Sequence, residues 1–380
     1  MTAQKAEISD PEDVRKLLLN SFGDPGKSPI SPHQRVDDTI HQRQPDQVPF
    51  DFWAVPEVWT SLKNYLNEAS DEGILRLFGI DCRIVEPDYI GPKPRVLPDG
   101  TFKNILGSHR RKVSNEFSVY EEYASYPLAE ARTKAEVENW SGWPKSSYWN
   151  WASVVSKIEK LNSDVQYYIR YDVGGIFESA WGLYGLDRFL TGLYDRQDVT
   201  CAIMDCYTDY MVDNVNHLMD QAKGLIDIVY TYDDIAIQNS LMMSRGMWRK
   251  FILPRHQRLN ATIKKHGLKI LYHSCGAIYP LISDLIQEMG IDVLNPLQPR
   301  AAGMDMARIK AEFGGQIAFH GGIDLQETMP FGSPDDVRHE VSERIRILGK
   351  GGGYICTTAH YIQADTPIEN IIALYTAVRV

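Results

Sequence analysis

The 380-residue chain holds only five cysteines, Cys82, Cys201, Cys206, Cys275 and Cys356. Their odd number and wide spacing exclude the framework of a disulfide-stapled secreted domain. Free thiols are expected, and most free cysteines act as small buried hydrophobes. Cys201 and Cys206 fit that description, because Ile203, Tyr207, Val212 and Val215 recur around them near helical spacing. The chain also lacks a tract of Lys or Arg. With 40 basic and 50 acidic side chains, its formal charge is −10, which argues against a partner with a phosphate backbone. No stretch approaches the roughly 18 uncharged apolar residues of a membrane span. The opening MTAQKAEISDPEDVRKLLLNSFGDPG has no apolar run of the signal-peptide kind. A soluble, cytoplasmic protein is expected. Internal repeats and low-complexity segments are missing too, which removes solenoid architectures.

What remains is a globular composition, 43% hydrophobic and 11% aromatic. Residues 1–47, with Pro and Gly at SFGDPGKSPISPHQ, read as an arm with at most a short helix around Asp10 to Leu19, packed across the body. From Gln47 onward, runs of strand length alternate with amphipathic stretches. The strands expected are VPFDFW (48–53), CRIVEPDY (82–89), VQYYIRYDV (165–173), IDIVYTYDD (226–234), LKILYHS (268–274), IDVLNPL (291–297), QIAFHGGI (316–323) and GYICTTA (353–359). Eight runs separated by helices predict the α/β class and a single (β/α)8 TIM-type barrel over 48–380. An open doubly wound sheet is the rival, but no GxGxxG follows the first strand. The segment from about 92 to 160 reads as an insertion after the second strand, with a β-hairpin and part of a lid. Its Trp140, Trp143, Trp149 and Trp151 are expected mainly to pack.

Active sites of such barrels lie at the carboxyl ends of the strands, and here those ends are polar. They offer Asp51 and Trp53; Tyr171 and Asp172; Tyr232, Asp233 and Asp234; His273 and Cys275; Asn295 and Gln298; His320 and Asp324; Cys356 and His360. Residues i and i+2 of a strand share a face, so His273 and Cys275 can face the mouth together. With Cys356, 81 residues beyond Cys275, they form a nitrogen-and-sulfur set suited to zinc with one open coordination position. The plainer reading is buried cysteine and a capping histidine. Asp233 and Asp234 read as one cap plus one loop hydrogen bond, with acid/base chemistry as the alternative. Arg170 and the Arg110–Arg111 pair are candidates for holding an anion, against simple surface solvation. Gly351 to Gly353 are expected to end a helix rather than to cradle a phosphate.

Five stretches carry a resemblance: YDDIAIQNSLMMSRGMWRKFILPRHQRL, LYHSCGAIYPLI, GIDVLNPLQPRAAGMD, FHGGIDLQETMPFGSPDDVRHEV and GGGYICTTAHYIQADTPIENI. In that order they resemble the uroporphyrinogen decarboxylase superfamily, which implies a β/α barrel. True decarboxylases of that group carry an arginine-rich stretch after the first strand, where this chain reads PFDFWAVPEVW. Its other branch comprises corrinoid-dependent methyltransferases whose zinc is held by His-x-Cys and a distant Cys. The resemblance therefore implies zinc on His273, Cys275 and Cys356, and a corrinoid (cobalamin) presented by a separate carrier protein. It also implies a small methyl donor or acceptor, a methoxylated aromatic ether or a thiol. Asp234, Tyr232 and His360 become the candidate catalytic groups. Trp53, Tyr171, Asp172, Gln298 and His320 become the candidate substrate contacts, and a homodimer is compatible with such a barrel. The rivals are a metal-free decarboxylase of a smaller carboxylated substrate and a non-catalytic barrel that binds a tetrapyrrole or a protein.

Overall fold

The computed structural model describes residues 10–22, 29–105, 107–114 and 119–377. The remainder of the expected arm, residues 1–9 and 23–28, and the tip of the expected hairpin, 115–118, lie outside them. Seven strands form a parallel sheet in the order β1 (Cys82–Ile84), β7 (Tyr168–Gly175), β8 (Ile228–Tyr232), β9 (Lys269–His273), β10 (Val293–Asn295), β11 (Ala318–Ile323) and β12 (Tyr354–Thr358). The gap between β12 and β1 is filled by residues 49–54. There the Asp51 N–H donates to the Cys356 carbonyl (3.1 Å), the Cys356 N–H to that of Pro49 (2.9 Å), and the Asp81 N–H to that of Phe50 (3.0 Å). The first expected stave is thus present as bridged backbone rather than as a regular strand. Pro49, which has no N–H to give, contributes to that irregularity.

Side-chain parity along the staves decides what faces the barrel axis. Tyr168, Ile228, Tyr230, Leu271, Val293, Ala318 and Ile355 pack together inside. Their neighbours Ile169, Val229, Ile270, Tyr272, Leu294, Phe319, Tyr354 and Cys356 join the larger apolar layer under the helices. Register places Tyr232 and Asn295 beside His273, so these three stand near one level of the wall.

The expected arm needs a correction. It contains two helices, Pro11–Phe22 and Pro32–Ile40, and the second enters the barrel floor. Val36 (0% exposed) and Ile40 (7%) belong to the interior cluster. Each such burial is worth about 1.5–3 kcal/mol. Ser31 caps the helix through the Gln34 N–H and Pro32 occupies its first turn, a start signal that composition alone obscures. Arg35 reaches Asp46 at 2.7 Å and Asp81 at 2.5 Å, which ties the helix to β1.

Between β1 and β7 stand the short strands β2 (Asp88–Tyr89) and β6 (Trp149–Asn150), which pair with each other. A three-stranded antiparallel sheet of β3 (Phe102–Lys103), β4 (His109–Ser114) and β5 (Val119–Ser125) lies in the same interval. Trp140 and Trp143 pack edge to face at 5.2 Å, while Trp151 is buried in the outer core. Among the described residues no helix is long and apolar enough to cross a membrane.

Candidate metal centre

Three donors meet at the barrel mouth. The ligand atoms of His273, Cys275 and His360 all lie within 4.8 Å of one another. His273 ends β9, Cys275 begins the following loop, and His360 lies just past β12. The Cys275 Sγ is 3.5 Å from the His273 Nε2, and the two imidazoles cross at 70° with centroids 5.5 Å apart. Asp234 joins them: its Oδ1 lies 3.5 Å from the His273 Nε2 and accepts the Cys275 N–H at 2.7 Å.

Cys356 is not part of this group, which corrects the ligand set expected from the sequence. Ile355 faces the barrel interior. The period of two then turns Cys356, fully buried, into the outer apolar layer. The chain turns after β12 and brings His360 to the place expected for that sulfur.

The electrostatics suit a cation. Burial opposes charge on His273, but Asp234 and Cys275 prevail and raise it to about 10. A site that stabilises a proton on Nε2 offers the same attraction to a metal ion that displaces it. Desolvation between the walls, with His273 nearby, lowers His360 to about 4 against the pull of Asp234, so its ring is neutral and free to ligate. Burial pushes Asp234 up, but its bond to His273 wins and holds it below the usual range. One thiol and two imidazoles match the donor chemistry of zinc.

A hydrogen-bonded chain fixes how His273 is presented. Its Nδ1 bonds to the Asn295 Oδ1. The Asn295 Nδ2 meets the His320 Nδ1 at 2.6 Å, and the His320 Nε2 meets the Asp51 Oδ2 at 3.0 Å. Asp51 also accepts from Arg170 (3.1 Å), the Trp53 Nε1 (2.7 Å) and the Phe52 N–H (2.8 Å). Although desolvation opposes its charge, His320 and Arg170 hold it near 2. An ionised carboxylate only accepts. His320 must therefore donate from Nε2 and accept at Nδ1, Asn295 must donate its amide, and His273 must carry its proton on Nδ1. A metal ion that displaced the Nε2 proton would find the lone pair there facing Cys275 and His360, the orientation a metal-ligating histidine takes from a partner behind it.

Beside these donors lies a cavity of about 570 Å³ lined by six tyrosines (171, 207, 210, 230, 232 and 361), together with Trp149, Glu86, Asp172, Glu178, Asp234, His273 and His360. The insertion supplies Asn104 and Ile105 to the same wall. Tyr171, Asp172, Tyr232, Asp234 and His360, all singled out in the sequence, line it. Trp53, His320 and Gln298 do not. Trp53 and His320 are buried beneath the floor, 5.1 Å apart. Gln298 instead accepts the Gly276 N–H at 2.7 Å and donates to Gln238 at 2.9 Å, so it braces the loop of Cys275. Arg170 is buried between Asp51 and Asp172 with its guanidinium 4.4 Å over Trp53, and offers nothing to an anion. Arg110 covers the Tyr123 ring and Arg111 pairs with Glu122, both away from the cavity.

Sequence reasoning passed over Glu178. It sits in the first turn of the helix Ile176–Tyr184, directly after β7. Its N–H donates to the Asp233 Oδ1 at 3.0 Å, and its Oε1 accepts the Asp234 N–H at 2.9 Å. Asp233, held also by the buried His256 at 2.6 Å, is a structural clamp. Burial, then Asp234 and Asp233, push Glu178 up to about 7. The acidic residue following Gly174 and Gly175 was the available signal.

A parallel β/α barrel whose mouth combines a nitrogen-and-sulfur cluster, perturbed carboxyls and a deep cavity has the anatomy of an enzyme. The family model described as uroporphyrinogen decarboxylase (URO-D) matches residues 144–380, and the chain belongs to that family. It is similar to a uroporphyrinogen decarboxylase of Psychromonas ingrahamii, 34% identical over 18% of this chain and 18% of that protein. It is also similar to a methylated-thiol–coenzyme M methyltransferase of Methanosarcina mazei, 27% identical over 46% of this chain and 43% of that one. The chain thus spans less than half the length of either relative. The solved structure of a methyltransferase from Methanosarcina mazei superposes with a TM-score of 0.65 at 16% identity, covering 91% of this chain and 97% of that one. That likeness establishes the shared barrel fold.

Proposed function

We propose that this protein is a cytoplasmic, zinc-dependent methyltransferase that moves a methyl group between a small substrate and the cobalt of a corrinoid held by a separate carrier protein. Residues 48–380 are the catalytic barrel and residues 1–47 its arm, of which the helix Pro32–Ile40 plugs the floor. The observation that carries the reading is the meeting of His273, Cys275 and His360 at the mouth. The named similarity to a methylated-thiol methyltransferase supports it. Zinc on those donors supplies a Lewis acid for the oxygen or sulfur from which the methyl group departs.

The chain's own residues do the rest. The Asp51–His320–Asn295 chain keeps the His273 lone pair aimed at the ion. Asp234 stays ionised beside it, and Glu178, near neutrality in its proton affinity, is the group placed to give a proton to a departing oxygen. The tyrosine walls orient a flat substrate, while Trp149, Asn104 and Ile105 narrow the opening. The decarboxylase alternative is disfavoured because no Lys or Arg among the described residues lines the cavity to offset the charge of a carboxylated substrate, while four carboxyl groups do line it. Asp51, with four donors already bonded to it, has no capacity left for substrate.

Metal analysis of three proteins tests the reading. The parent and Cys356→Ser are expected to retain about one zinc per chain, and His360→Ala to lose it. Loss of metal from Cys356→Ser with retention in His360→Ala overturns the ligand set. Absence of methyl–cobalt formation with a reduced corrinoid carrier and methoxyarenes or methylthiols overturns the activity.

A further inference from the structure

The cavity walls carry four carboxyl groups, Glu86, Asp172, Glu178 and Asp234, and among the described residues no lysine or arginine. Behind the wall, Arg170 spends its charge on Asp51 and Asp172. A divalent ion on His273, Cys275 and His360 adds two positive charges and takes one back as thiolate, which leaves the walls negative. The charge is divided spatially. Glu86 and Asp172 follow β1 and lie on β7, the metal donors follow β9 and β12, and the tyrosines of β8 stand between β7 and β9.

Aromatic faces add to this. Tyr230 is 6% exposed, lines the cavity, and its hydroxyl makes no hydrogen bond to the described residues. Tyr232 stands 5.6 Å from it, and Tyr361 is on the same wall. Aromatic rings combined with carboxylates are the lining that attracts an organic cation and repels an anion. Burial first, then Asp172 beside Glu86, Asp51 beside Asp172, and Asp234 and Asp233 beside Glu178, hold Glu86, Asp172 and Glu178 above their usual range, a cost that a cation seated among them offsets.

We propose that the cavity's ligand is an organic cation, a methoxylated aromatic ring bearing an ammonium group, seated with its ether toward His273 and His360 and its ammonium toward Glu86 and Asp172. This rests on the methyltransferase reading of the same site. Uncharged rings of the same shape bind more weakly, and carboxylated ones are rejected.

Titration calorimetry on the full zinc-loaded chain with three probes, 3-methoxytyramine, 2-methoxyphenol and 4-hydroxy-3-methoxybenzoate, tests it. The expected order is amine, then neutral phenol, then carboxylate, with the amine about tenfold tighter than the phenol. Glu86→Gln, at the exposed rim, is expected to reduce the amine's advantage over the phenol to about threefold, with an unchanged circular-dichroism spectrum and melting temperature certifying the fold. Equal binding of all three, tighter binding of the carboxylate, or no binding of any overturns the proposal. Methyl transfer is scored separately with the carrier. The binding order without any transfer sinks the methyltransferase reading and leaves the charge preference standing. Transfer that is fastest from the carboxylated ether does the reverse.

Discussion

Asn295 is the residue at which the tautomer argument is most exposed to refutation. It is fully buried and makes one hydrogen bond with each of two imidazoles, accepting from His273 and donating to His320. In Asn295→Leu both ring nitrogens lose their partner inside the barrel. Each buried group left unsatisfied costs about 1–3 kcal/mol, so the loss of stability is expected to be about 2–6 kcal/mol. The effect on the metal is separable. Without the acceptor, nothing compels the His273 proton to remain on Nδ1, and removing such a partner typically lowers metal affinity about 10–100-fold. Asn295→Asp keeps that acceptor. Its second oxygen then faces the His320 Nδ1, which becomes a donor, and His320 lies as an imidazolium between two carboxylates. Zinc affinity of Asn295→Asp is therefore expected within a few-fold of the parent, and that of Asn295→Leu at least tenfold weaker. Competition with a chromophoric chelator measures both, and the nitrogen shifts of ring-labelled histidine report the tautomers. Equal zinc affinity in Asn295→Leu and parent, in a protein whose fold is verified, refutes the reasoning.

The barrel was legible because parallel strands buried on both faces leave apolar runs, and the residues closing those runs were polar. Asp234, His273 and Cys275, which the structure brings together, stand among the residues at those ends; the ends make them candidates, and the resemblance singles out His273 and Cys275 as ligands. Cys356 shows where reading stops. In GYICTTA either Tyr354 and Cys356 or Ile355 and Thr357 can face inward, and all four are compatible with burial. The choice is made by the neighbouring backbone, which pairs Cys356 with residues 49–51 and Gly321, an order no local pattern announces. Trp53, His320 and Gln298 were placed at the right height but not on the cavity surface, because height follows from position in a strand while depth follows from what packs in front. Glu178 was missed for a related reason. It belongs to a helix start, where a carboxylate usually serves the helix dipole, and only the spatial neighbourhood of Asp233 and Asp234 gives it another use.

Three further outcomes are expected. Arg170→Met strips the buried Asp51 and the half-buried Asp172 of their shared cation and is expected to cost about 3–5 kcal/mol, measured by denaturant unfolding; a loss below 1 kcal/mol contradicts the ion-pair account. Zinc binding at pH 7 is expected to release at least one proton, that of His273, with none from His360, which is already neutral; calorimetry in buffers of different ionisation enthalpy counts them. Glu178 supplies the last test. Its folded value of about 7 lies above the ordinary 4.5, so between those values the folded protein keeps a proton that the unfolded chain has lost. The stability this confers is complete below pH 4.5 and disappears as the pH rises through 7. Glu178→Gln retains the carbonyl that accepts the Asp234 N–H but cannot ionise beside Asp233 and Asp234. In metal-free protein it is therefore expected to raise the melting temperature at pH 8 and to change it little at pH 5. A shift of equal size at both pH values means that the glutamine acts through packing, and that Glu178 carries no displaced proton for the reaction to use.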